Sequence, residues 1–501
     1  MLEQATLAQS DNFRKCLVVV IPGIGGSRLR RPEGTFAWDG GYLSMAQFLA
    51  NPRRLRDLDD ELEPAGVTRT PTRFLGRAPF YGYQVLIDRL AKKFATVPDY
   101  GDRTGSVHPE ARVVSFPYDF RRDCEYNAAK LQEFVCRRLR HFRLGDKRSV
   151  IVVAHSMGGI VARTWVDRFD RWSTCRYLIT LGTPHHGAPK ALEMLANGSP
   201  GWKVGHIPGI RSTLRAWPST YDLLPMYPAI KSDNKPITPS DFFKTQLTAA
   251  VEQNEVGEAF DRYQRTTAQW ADQAWSLGNA HFIGTGRATC QFAQWNGTRL
   301  RTYKSACPWL QEPSSSKIGD GTVPQISAIP MEHQADGWWH EVREKHNRMP
   351  DAELMAERVI KELCLLAGKS EYGIFDWWLD KGRRTRGDES DLQIDIEDAY
   401  FIDGDPPPIA LEWSDHRDFP DDKPYYRITL LSDPGQPAVE GLFTSRKEEE
   451  LRWEFTLPPL SPGMYRIKTS PSPHGGDRKQ STEALFDVFD DATLEKESDH
   501  A

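Results

Sequence analysis

Residues 149–163 read SVIVVAHSMGGIVAR, and this stretch decides the fold that the sequence predicts. Its first half is a run of apolar, mostly β-branched residues, which indicates a buried strand, and its second half has apolar residues at helical spacing. Between them, Ala154 and Gly158 are small enough for a sharp turn that exposes the hydroxyl of Ser156. The amide of Met157 would then face a developing oxyanion. A buried strand before a glycine-rich turn is the alternative interpretation.

Length and composition narrow the class of protein. The chain has 501 residues, enough for about two to four domains, and a net charge of -5, which provides no basic field for nucleic acid. No secretory signal is evident at the start, and no stretch approaches the ~20 apolar residues that a membrane-spanning helix requires. We therefore expect a soluble, cytoplasmic protein that does not bind nucleic acid.

The cysteines show neither a disulfide framework nor the spacing of metal ligands. There are seven, at positions 16, 124, 136, 175, 290, 307 and 364. Most lie in or beside apolar segments, as buried thiols do. Cys290 and Cys307 could pair locally, although a reducing compartment favours free thiols. We expect no metal and no cofactor.

A second apolar run, LVVVI at residues 17–21, predicts another buried strand, and the loop PGIGGSRL follows it at residues 22–29. Such a loop could cradle a phosphate or a dinucleotide, but the lysine of a P-loop and the G-x-G-x-x-G spacing are both absent. The remaining use is an oxyanion loop, in which the amide of Ile24 joins that of Met157. We favour this third use because Ser156 requires such a loop.

Strand and helix patterns alternate from residue 17 to residue 187, which indicates a doubly wound, mostly parallel sheet of the α/β class. Two segments interrupt the alternation. Residues 31–80 carry aromatic residues and turn residues, typical of a lid or of a surface excursion. Residues 188–278 carry proline-rich turns and two helical patterns, and we expect a cap there. The predicted catalytic domain spans residues 1–370.

The sequence changes in character after residue 370. A charged, glycine-containing linker is expected at residues 371–390. Short alternating runs separated by proline, glycine and aspartate follow, and they predict an Ig-like β-sandwich over residues 391–490. Residues 491–501 form a polar tail. This last domain could bind a protein, a glycan or a membrane surface, or simply pack on the catalytic domain, and packing is the default expectation.

A nucleophilic serine needs an acid and a histidine, and in this fold class both follow it in the chain. The candidate acid is Asp320, in the tight loop IGDGTVP, where its carboxylate can accept a hydrogen bond from an imidazole. An Asp-Gly turn with the side chain bound to its own backbone is the alternative. Asp336 is the reserve candidate.

Among the thirteen histidines, His346 is the predicted general base. It follows Asp320 and lies in a loop before the last patterned helix, where a catalytic histidine normally lies. His340 and His333 are nearby alternatives, and His155 is too close to the turn to reach back to the serine. For His185–His186, at the end of a strand near the site, we expect a supporting role in packing.

Six features in order resemble the lecithin:cholesterol acyltransferase and group-XV-type phospholipase family. They are the segments PGIGGSRL, a lid-like segment with Trp38, YGYQVLIDRL, VVSFPYDFRRD, VVAHSMGG and GDGTVP, spread over residues 16–366. The resemblance implies an α/β-hydrolase with Ser156, Asp320 and His346 as catalytic residues and Ile24 and Met157 as oxyanion donors. It also implies lipid or other long-chain esters as substrates, and peripheral contact with a membrane is conceivable.

Three functions follow as hypotheses. The first is a serine acyl hydrolase that cleaves lipid esters through an acyl-enzyme. The second is an acyltransferase, which would pass the same acyl group to an alcohol. The third is an inactive hydrolase scaffold that acts as an interaction protein through its C-terminal domain.

Overall fold

The structure is a computed structural model. The residues that it describes are 16–70, 72–74, 77–80, 82–102, 108–144, 148–170, 172–198, 208–233, 235–246, 253–273, 277–297, 300–310, 319–333, 339–367, 392–395, 400–402, 408–413, 420–430, 437–447, 452–456, 460, 463–470 and 482–489. The predicted linker and the predicted C-terminal tail lie outside these ranges.

The chain divides into two compact units. The first comprises residues 1–72 and 80–386, and the second comprises residues 73–79 and 387–501. The domain boundaries expected from the sequence remain predictions.

Up to residue 310 and again near 340, short strands recur along the chain. They are β1 (Leu17–Ile21), β2 (Ser27–Arg30), β3 (Phe36–Trp38), β4 (Glu63–Val67), β5 (Thr72–Phe74), β6 (Arg77–Phe80), β7 (Pro98–Asp99), β8 (Val113–Ser115), β9 (Val150–His155), β10 (Cys175–Leu181), β11 (Ile230–Ser232), β12 (Lys235–Ile237), β13 (Gly278–Gly284), β14 (Phe292–Trp295), β15 (Leu300–Tyr303) and β16 (His340–Val342).

Helices alternate with these strands. They are α1 (Tyr42–Ala50), α2 (Gln84–Lys93), α3 (Cys124–Phe142), α4 (Met157–Trp165), α5 (Pro189–Asn197), α6 (Ile210–Arg215), α7 (Pro218–Asp222), α8 (Pro239–Gln246), α9 (Gln253–Gln273), α10 (Gln325–Ala328) and α11 (Glu353–Ala367). The described residues also form three short 3-10 helices and one π-helical turn. The 3-10 helices are Pro52–Leu55, Met331–His333 and His346–Arg348, and the π-helical turn is Val166–Asp170.

Seven strands form the central sheet, in the order β16-β13-β10-β9-β1-β8-β7. Every neighbouring pair in this sheet is parallel. All residues of β1 and β9 are buried, because helices cover both faces of a parallel sheet and both faces must therefore be apolar. The predicted α/β class with a parallel sheet is confirmed.

The order of the strands determines where a site can form. β8 pairs with β1 on one side, and β9 pairs with β1 on the other, so the chain reverses its direction of winding between β1 and β9. In open α/β sheets, ligands bind outside the carboxyl ends of the strands at such a reversal. The loops after β1 and β9 both begin there.

Helices α2 and α11 share one apolar cluster with the strands of this sheet. Its helical members include Leu86, Leu90, Val359 and Leu363, and each is almost completely buried. Helix α4 contacts β1, β9 and β10, and it also packs against α3. α3 begins at Asp123, whose side chain accepts a hydrogen bond from the amide of Tyr126.

The segment predicted as a lid contains β3, β4, α1 and a 3-10 turn, and β3 and β4 flank β2 in a small antiparallel sheet. Arg121, which is fully buried, holds this segment through ion pairs with Asp60 at 2.8 Å and with Asp119 at 2.9 Å. Breaking a buried pair of this kind costs about 3–5 kcal/mol, because a charge is left uncompensated. The motif VVSFPYDFRRD therefore has a structural function in this position.

The segment predicted as a cap, residues 188–278, contains helices α5 to α9 and strands β11 and β12. The helical patterns expected around 241–254 and 256–275 correspond to α8 and α9, which lie slightly earlier in the chain. β11 and β12 join β14 and β15 in a separate four-stranded sheet.

The part of the second unit after residue 387 contains nine strands among the residues that the structure describes. They are β17 (Leu392–Asp395), β18 (Tyr400–Ile402), β19 (Pro408–Trp413), β20 (Tyr425–Leu430), β21 (Val439–Leu442), β22 (Ser445–Lys447), β23 (Arg452–Thr456), β24 (Gly463–Ser470) and β25 (Thr482–Phe489). They form a four-stranded sheet, β17-β19-β23-β22, and a five-stranded sheet, β18-β25-β24-β20-β21.

The two sheets of this unit share one core. Ile409 and Trp453 belong to the first sheet, Ile428 and Ile467 belong to the second, and all four lie in the same buried cluster. Tyr426 of one sheet stacks on Phe455 of the other, with ring centroids 3.9 Å apart. The all-β C-terminal region expected from the sequence is confirmed as two packed sheets.

Membrane-spanning helices and disulfide bonds are both absent from the described residues. None of their helices is both long enough and apolar enough to cross a lipid bilayer. All seven cysteines are described, and each is a free thiol, including Cys290 and Cys307.

Candidate active site

Ser156 lies between the last residue of β9 and the first residue of α4. Its backbone angles are φ 53° and ψ -128°, a strained conformation for a residue with a side chain. The amide of Ser156 donates to the carbonyl of Leu181 at 2.9 Å, which holds the turn against β10. A Cβ atom at Gly158 would lie 2.4 Å from the carbonyl oxygen of Pro22, so only glycine fits there. The predicted strand–turn–helix is therefore present.

The loop after β1 lies directly beside this turn. Ile21 pairs with Ala154 in the sheet, so the residues that follow each of them leave the sheet side by side. A Cβ atom at Gly23 would lie 2.9 Å from Cβ of Ser156 and 3.4 Å from its Oγ. The glycine therefore allows this loop to approach the serine, and it places Ile24 next in the chain.

His346 follows β16 and begins the short 3-10 helix His346–Arg348. Its Nε2 lies 2.8 Å from Oγ of Ser156, which is hydrogen-bond distance. Its backbone amide donates to the carbonyl of Asp320 at 3.0 Å. Ser156 and His346 are about 6% and 5% exposed, so water has little access to this hydrogen bond.

Asp320 uses its two carboxylate oxygens for different purposes. Oδ2 lies 2.7 Å from Nδ1 of His346. Oδ1 accepts from the amides of Thr322 at 2.9 Å and Val323 at 2.7 Å. The catalytic interpretation and the Asp-Gly turn interpretation are thus compatible, since each concerns a different oxygen. The turn holds the carboxylate in place and leaves one oxygen for the imidazole.

The structure brings Ser156, His346 and Asp320 together in one hydrogen-bonded series. In such a series the imidazole can take a proton from the hydroxyl while the carboxylate stabilises the resulting imidazolium. The reserve acid Asp336 lies outside the described residues.

The other candidate histidines lie away from this series. His340 lies in β16, where its Nε2 is 3.3 Å from Glu362 and its ring stacks on Phe282. Nε2 of His333 lies 3.0 Å from Oδ1 of Asn279. For His186, Nδ1 lies 2.6 Å from the hydroxyl of Tyr263.

Sequence analysis missed a second set of contacts around the site. The hydroxyl of Tyr83 accepts a hydrogen bond from the amide of Gly23 at 2.8 Å and lies 2.8 Å from Nδ1 of His155. Nε2 of His155 lies 2.9 Å from the carbonyl oxygen of His346. One tyrosine and one histidine thus connect the loop after β1 with the loop that carries His346.

The direction of these hydrogen bonds follows from the groups involved. The carbonyl of His346 can only accept, so Nε2 of His155 carries the proton. Burial lowers the pKa of His155 to about 3, so its ring is neutral near pH 7 and Nδ1 is an acceptor. Burial raises the pKa of Tyr83, which therefore stays protonated and donates to that nitrogen.

No pattern of spacing could have revealed this link, because Tyr83 and His155 are 72 residues apart. Tyr83 immediately precedes α2, within the segment YGYQVLIDRL that the sequence analysis noted for its helical pattern and its family resemblance.

Replacing Tyr83 by phenylalanine is expected to lower kcat for ester hydrolysis about 10- to 100-fold. The amide of Gly23 and Nδ1 of His155 would lose their partner inside the protein, at a cost of about 1–3 kcal/mol for each buried group, and the loop would shift from its position beside Ser156. Steady-state kinetics and thermal unfolding would measure the two effects.

Tyr177→Phe is the matched control for this prediction. Tyr177 is also a buried tyrosine of the same unit, but it lies near the amino end of β10, where its hydroxyl interacts with Arg176. The control should lose stability and retain kcat. Equal kcat values for the two variants would show that the Tyr83 hydroxyl does not position the loop.

Two backbone amides come from residues next to the contacts just described. Met157 is fully buried and is the first residue of α4, so its amide is one of the four that have no acceptor within the helix. Ile24 follows Gly23, and its loop is held by Tyr118, which donates to the carbonyl of Pro22 at 2.9 Å. These are the two amides that the sequence analysis selected as oxyanion donors.

Comparison with known sequences gives one partial match. Residues 129–197 match the family model described as a PGAP1-like alpha/beta domain. These residues run from α3 through Ser156 to the end of α5. No curated protein matches the chain. The resemblance to the lecithin:cholesterol acyltransferase family stays a hypothesis.

Comparison with solved structures finds several distant likenesses. A chain in the crystal structure of the Tle4-Tli4 complex has 14% sequence identity to this chain and a TM-score of 0.43. The alignment covers 70% of this chain and 97% of that chain. The mature lipase BlEst2 of Bacillus licheniformis has 14% sequence identity to this chain and a TM-score of 0.31, and the alignment covers 70% of this chain and 91% of the lipase chain. Phospholipase PlaB from Legionella pneumophila has 11% sequence identity to this chain and a TM-score of 0.35, and the alignment covers 94% of this chain and 89% of the phospholipase chain.

These likenesses are too weak to carry an argument, so the assignment depends on the chain's own architecture. A seven-stranded parallel sheet buried on both faces ends in a strained turn that places Ser156 at the reversal of strand order. By fold, the chain is an α/β-hydrolase with an additional all-β unit in its C-terminal part.

Proposed function

We propose that the protein is a serine hydrolase that cleaves carboxylic esters of lipids through an acyl-enzyme. The observation that carries the proposal is the buried series of contacts from Oγ of Ser156 to Nε2 of His346 at 2.8 Å and from Nδ1 of His346 to Oδ2 of Asp320 at 2.7 Å. Both contacts are at hydrogen-bond distance and involve three different segments of the chain.

The mechanism assigns one function to each side chain. His346 takes the proton of Ser156 as Oγ attacks the ester carbonyl, and Asp320 stabilises the imidazolium. The protonated imidazole then donates to the leaving alcohol, and the acyl group remains on Oγ. Water, deprotonated by the same imidazole, attacks the acyl-enzyme, which releases the carboxylic acid and restores the free serine.

The oxyanion of each tetrahedral intermediate needs donors that are already in position. We assign this role to the amide of Met157, which follows Ser156 in the chain, and to the amide of Ile24, which follows the glycine that approaches Ser156. One donor of this kind contributes roughly 3–4 kcal/mol to transition-state stabilisation. Tyr83 and Tyr118 act as positioning residues, because they hold the loop that carries Ile24.

An apolar cluster beside the oxyanion loop supports an acyl chain as the substrate group. Trp38 donates from its indole nitrogen to the carbonyl of Gly25 at 2.9 Å, and its ring packs against Phe48 and Phe120. Phe120 in turn packs against Trp217, which belongs to the predicted cap. Aromatic side chains from the predicted lid and cap thus meet next to the loop, and their mostly buried rings make its surroundings apolar.

One exposed side chain supports contact with a lipid surface. Leu43 lies in α1, within the predicted lid, and is 70% exposed. A large exposed apolar residue on a helix beside an aromatic cluster can insert into the boundary between water and lipid. We extend the proposal to substrates presented in a membrane or micelle.

Acyl transfer remains the second candidate, because the same acyl-enzyme would react with an alcohol in place of water. We propose separately that the C-terminal unit binds a protein or a glycan through the accessible surface of that unit.

The test uses the full chain, a series of p-nitrophenyl esters of increasing acyl length, and a fluorophosphonate probe. We expect hydrolysis that favours long acyl chains and covalent labelling at Ser156, located by mass spectrometry. Ser445→Ala, a change at an exposed residue of the second unit, should leave both unchanged. A folded protein that neither labels nor hydrolyses any ester of the series would refute the proposal. Products formed in the presence of added alcohol would separate transfer from hydrolysis.

A further inference from the structure

A buried polar cluster lies apart from the contacts of Ser156, on β13 and the 3-10 helix Met331–His333. It contains His281, Glu332 and His333, and one nitrogen or oxygen atom of each lies within 4.8 Å of the others. His281 is fully buried, and His333 is 3% exposed. The proposed ester hydrolysis gives none of these side chains a function.

Nε2 of His281 has no hydrogen-bond partner among the described residues and no access to solvent. Its other ring nitrogen, Nδ1, lies 2.7 Å from the hydroxyl of Thr180, the residue that pairs with His281 across β10 and β13. A buried polar atom without a partner costs about 1–3 kcal/mol, and its presence points to an absent ligand.

His333 is oriented in a similar way. Its Nε2 lies 3.0 Å from Oδ1 of Asn279, which can only accept, so Nε2 donates to it and a metal ion would be bound through Nδ1. Both histidines thus have one ring nitrogen bonded to an oxygen of the central sheet. Metal-binding histidines are oriented in the same way, because the ring nitrogen that does not bind the metal donates to an oxygen.

Glu332 supplies the third donor. Its side chain is 4% exposed, and Arg163 donates to its two oxygens at 2.5 Å and 3.0 Å. Each carboxylate oxygen keeps a second lone pair, so the guanidinium orients the carboxylate without using up its capacity to bind an ion. Because Arg163 also cancels its charge, most of the affinity must come from the two imidazoles.

A small cavity is lined by residues that contact the cluster or precede it in the chain. The cavity has a volume of about 40 Å³, and its lining includes Arg163, His185 and Met331. Met331 is 47% exposed and directly precedes Glu332. His185 adds a second unpartnered nitrogen, Nδ1, and its ring is perpendicular to that of His281 with centroids 5.1 Å apart.

We propose that His281, Glu332 and His333 bind a divalent transition-metal ion, for which zinc is the best match. Two imidazoles and one carboxylate are ligands typical of zinc, and three protein ligands leave a fourth position for water. Bonds of about 2.0–2.2 Å require the donor atoms to move closer together than they now are, by rotation of the side chains. The expectation that no metal binds was based on cysteine spacing, which does not apply to this donor set.

The ion would stabilise the part of the chain that carries two of the proposed catalytic residues. Glu332 and His333 lie between Asp320 and His346, and His281 lies in the central sheet. A metal bond between these two regions would hold the segment on the sheet. Its function is therefore structural.

The test uses the full-length, untagged protein, first stripped with a chelator and then titrated with zinc or cobalt. We expect one ion per chain by elemental analysis, a visible cobalt spectrum typical of a four-coordinate site, and a higher Tm on addition of zinc. His333→Gln should weaken zinc binding at least about 100-fold. Thr180→Val, which removes only the hydroxyl beside His281, should weaken it about 10- to 100-fold.

His340→Gln is the control, because His340 is also a histidine of this region but pairs with Glu362. It should bind zinc as the unchanged protein does. Circular dichroism would verify the fold of each variant. Two outcomes would overturn the proposal. In the first, the unchanged protein does not bind zinc at micromolar concentration. In the second, His333→Gln and Thr180→Val bind zinc as well as the unchanged protein does, which would indicate the cysteine thiols as ligands. No readout depends on ester hydrolysis.

Discussion

Replacing Ser156 by alanine is expected to lower kcat for ester hydrolysis by about 10⁵- to 10⁶-fold and to abolish labelling by a fluorophosphonate. The variant lacks the atom that attacks the carbonyl, and the remaining groups cannot act without it, since nucleophile and base work as a unit. The oxyanion amides and the binding of substrate would leave a residual rate above that of water. Steady-state kinetics on the best p-nitrophenyl ester would measure the loss.

The fold should tolerate this change well. The main-chain bond from Ser156 to Leu181 does not involve the side chain, and alanine removes a strained residue's hydroxyl without adding volume. Ser156→Ala should therefore retain its Tm within a few degrees. If kcat fell by less than about tenfold in the folded variant, another nucleophile would have to carry the reaction, and the proposed function would be wrong.

Much of the first unit was predictable because its signals are local. The apolar runs at β1 and β9 must be buried on both faces, and such runs form parallel strands that need helices between them. The turn at Ser156 was predictable for the same reason, since small residues on both sides of it permit a conformation with positive φ. Local sequence determines both features.

Contacts between distant segments were predictable only where chemistry required a partner. A serine nucleophile implies an acid and a histidine, so Asp320 and His346 could be selected from their order and their loops. Nothing implied the link between Tyr83 and His155, because a tyrosine hydroxyl and a histidine have many other uses. That link depends on the strand order, which pairs β9, where His155 lies, with β1, whose following loop Tyr83 contacts.

The cluster of His281, Glu332 and His333 was unpredictable for a related reason. Its members come from β13 and from a turn about 50 residues later, and no short spacing connects them. His333 even seemed a candidate base, since its position after Asp320 fits that role. Only the folded structure shows that His333 contacts Asn279 on β13.

Asp320→Asn should lower kcat about 10⁴-fold while leaving the fold intact, and the reason lies in how the carboxylate is held. Oδ1 accepts from two amides, so the amide oxygen of asparagine must occupy that position. The NH₂ group then faces Nδ1 of His346 and donates to it. The imidazole is forced to carry its proton on Nε2, and it can no longer accept the proton of Ser156.

The spectroscopic consequence separates this effect from a general loss of structure. In the unchanged protein, the proton between Nδ1 of His346 and Asp320 should give a downfield NMR signal, and Asp320→Asn should lose it. Asp222→Asn is the control, since Asp222 is a buried aspartate paired with Arg262 at 2.8 Å and makes no contact with His346 among the described contacts. It should lose stability but retain both the NMR signal and kcat. An Asp320→Asn variant with kcat within about tenfold of the unchanged protein would mean that the imidazole does not depend on this carboxylate, and a different acid would have to be sought.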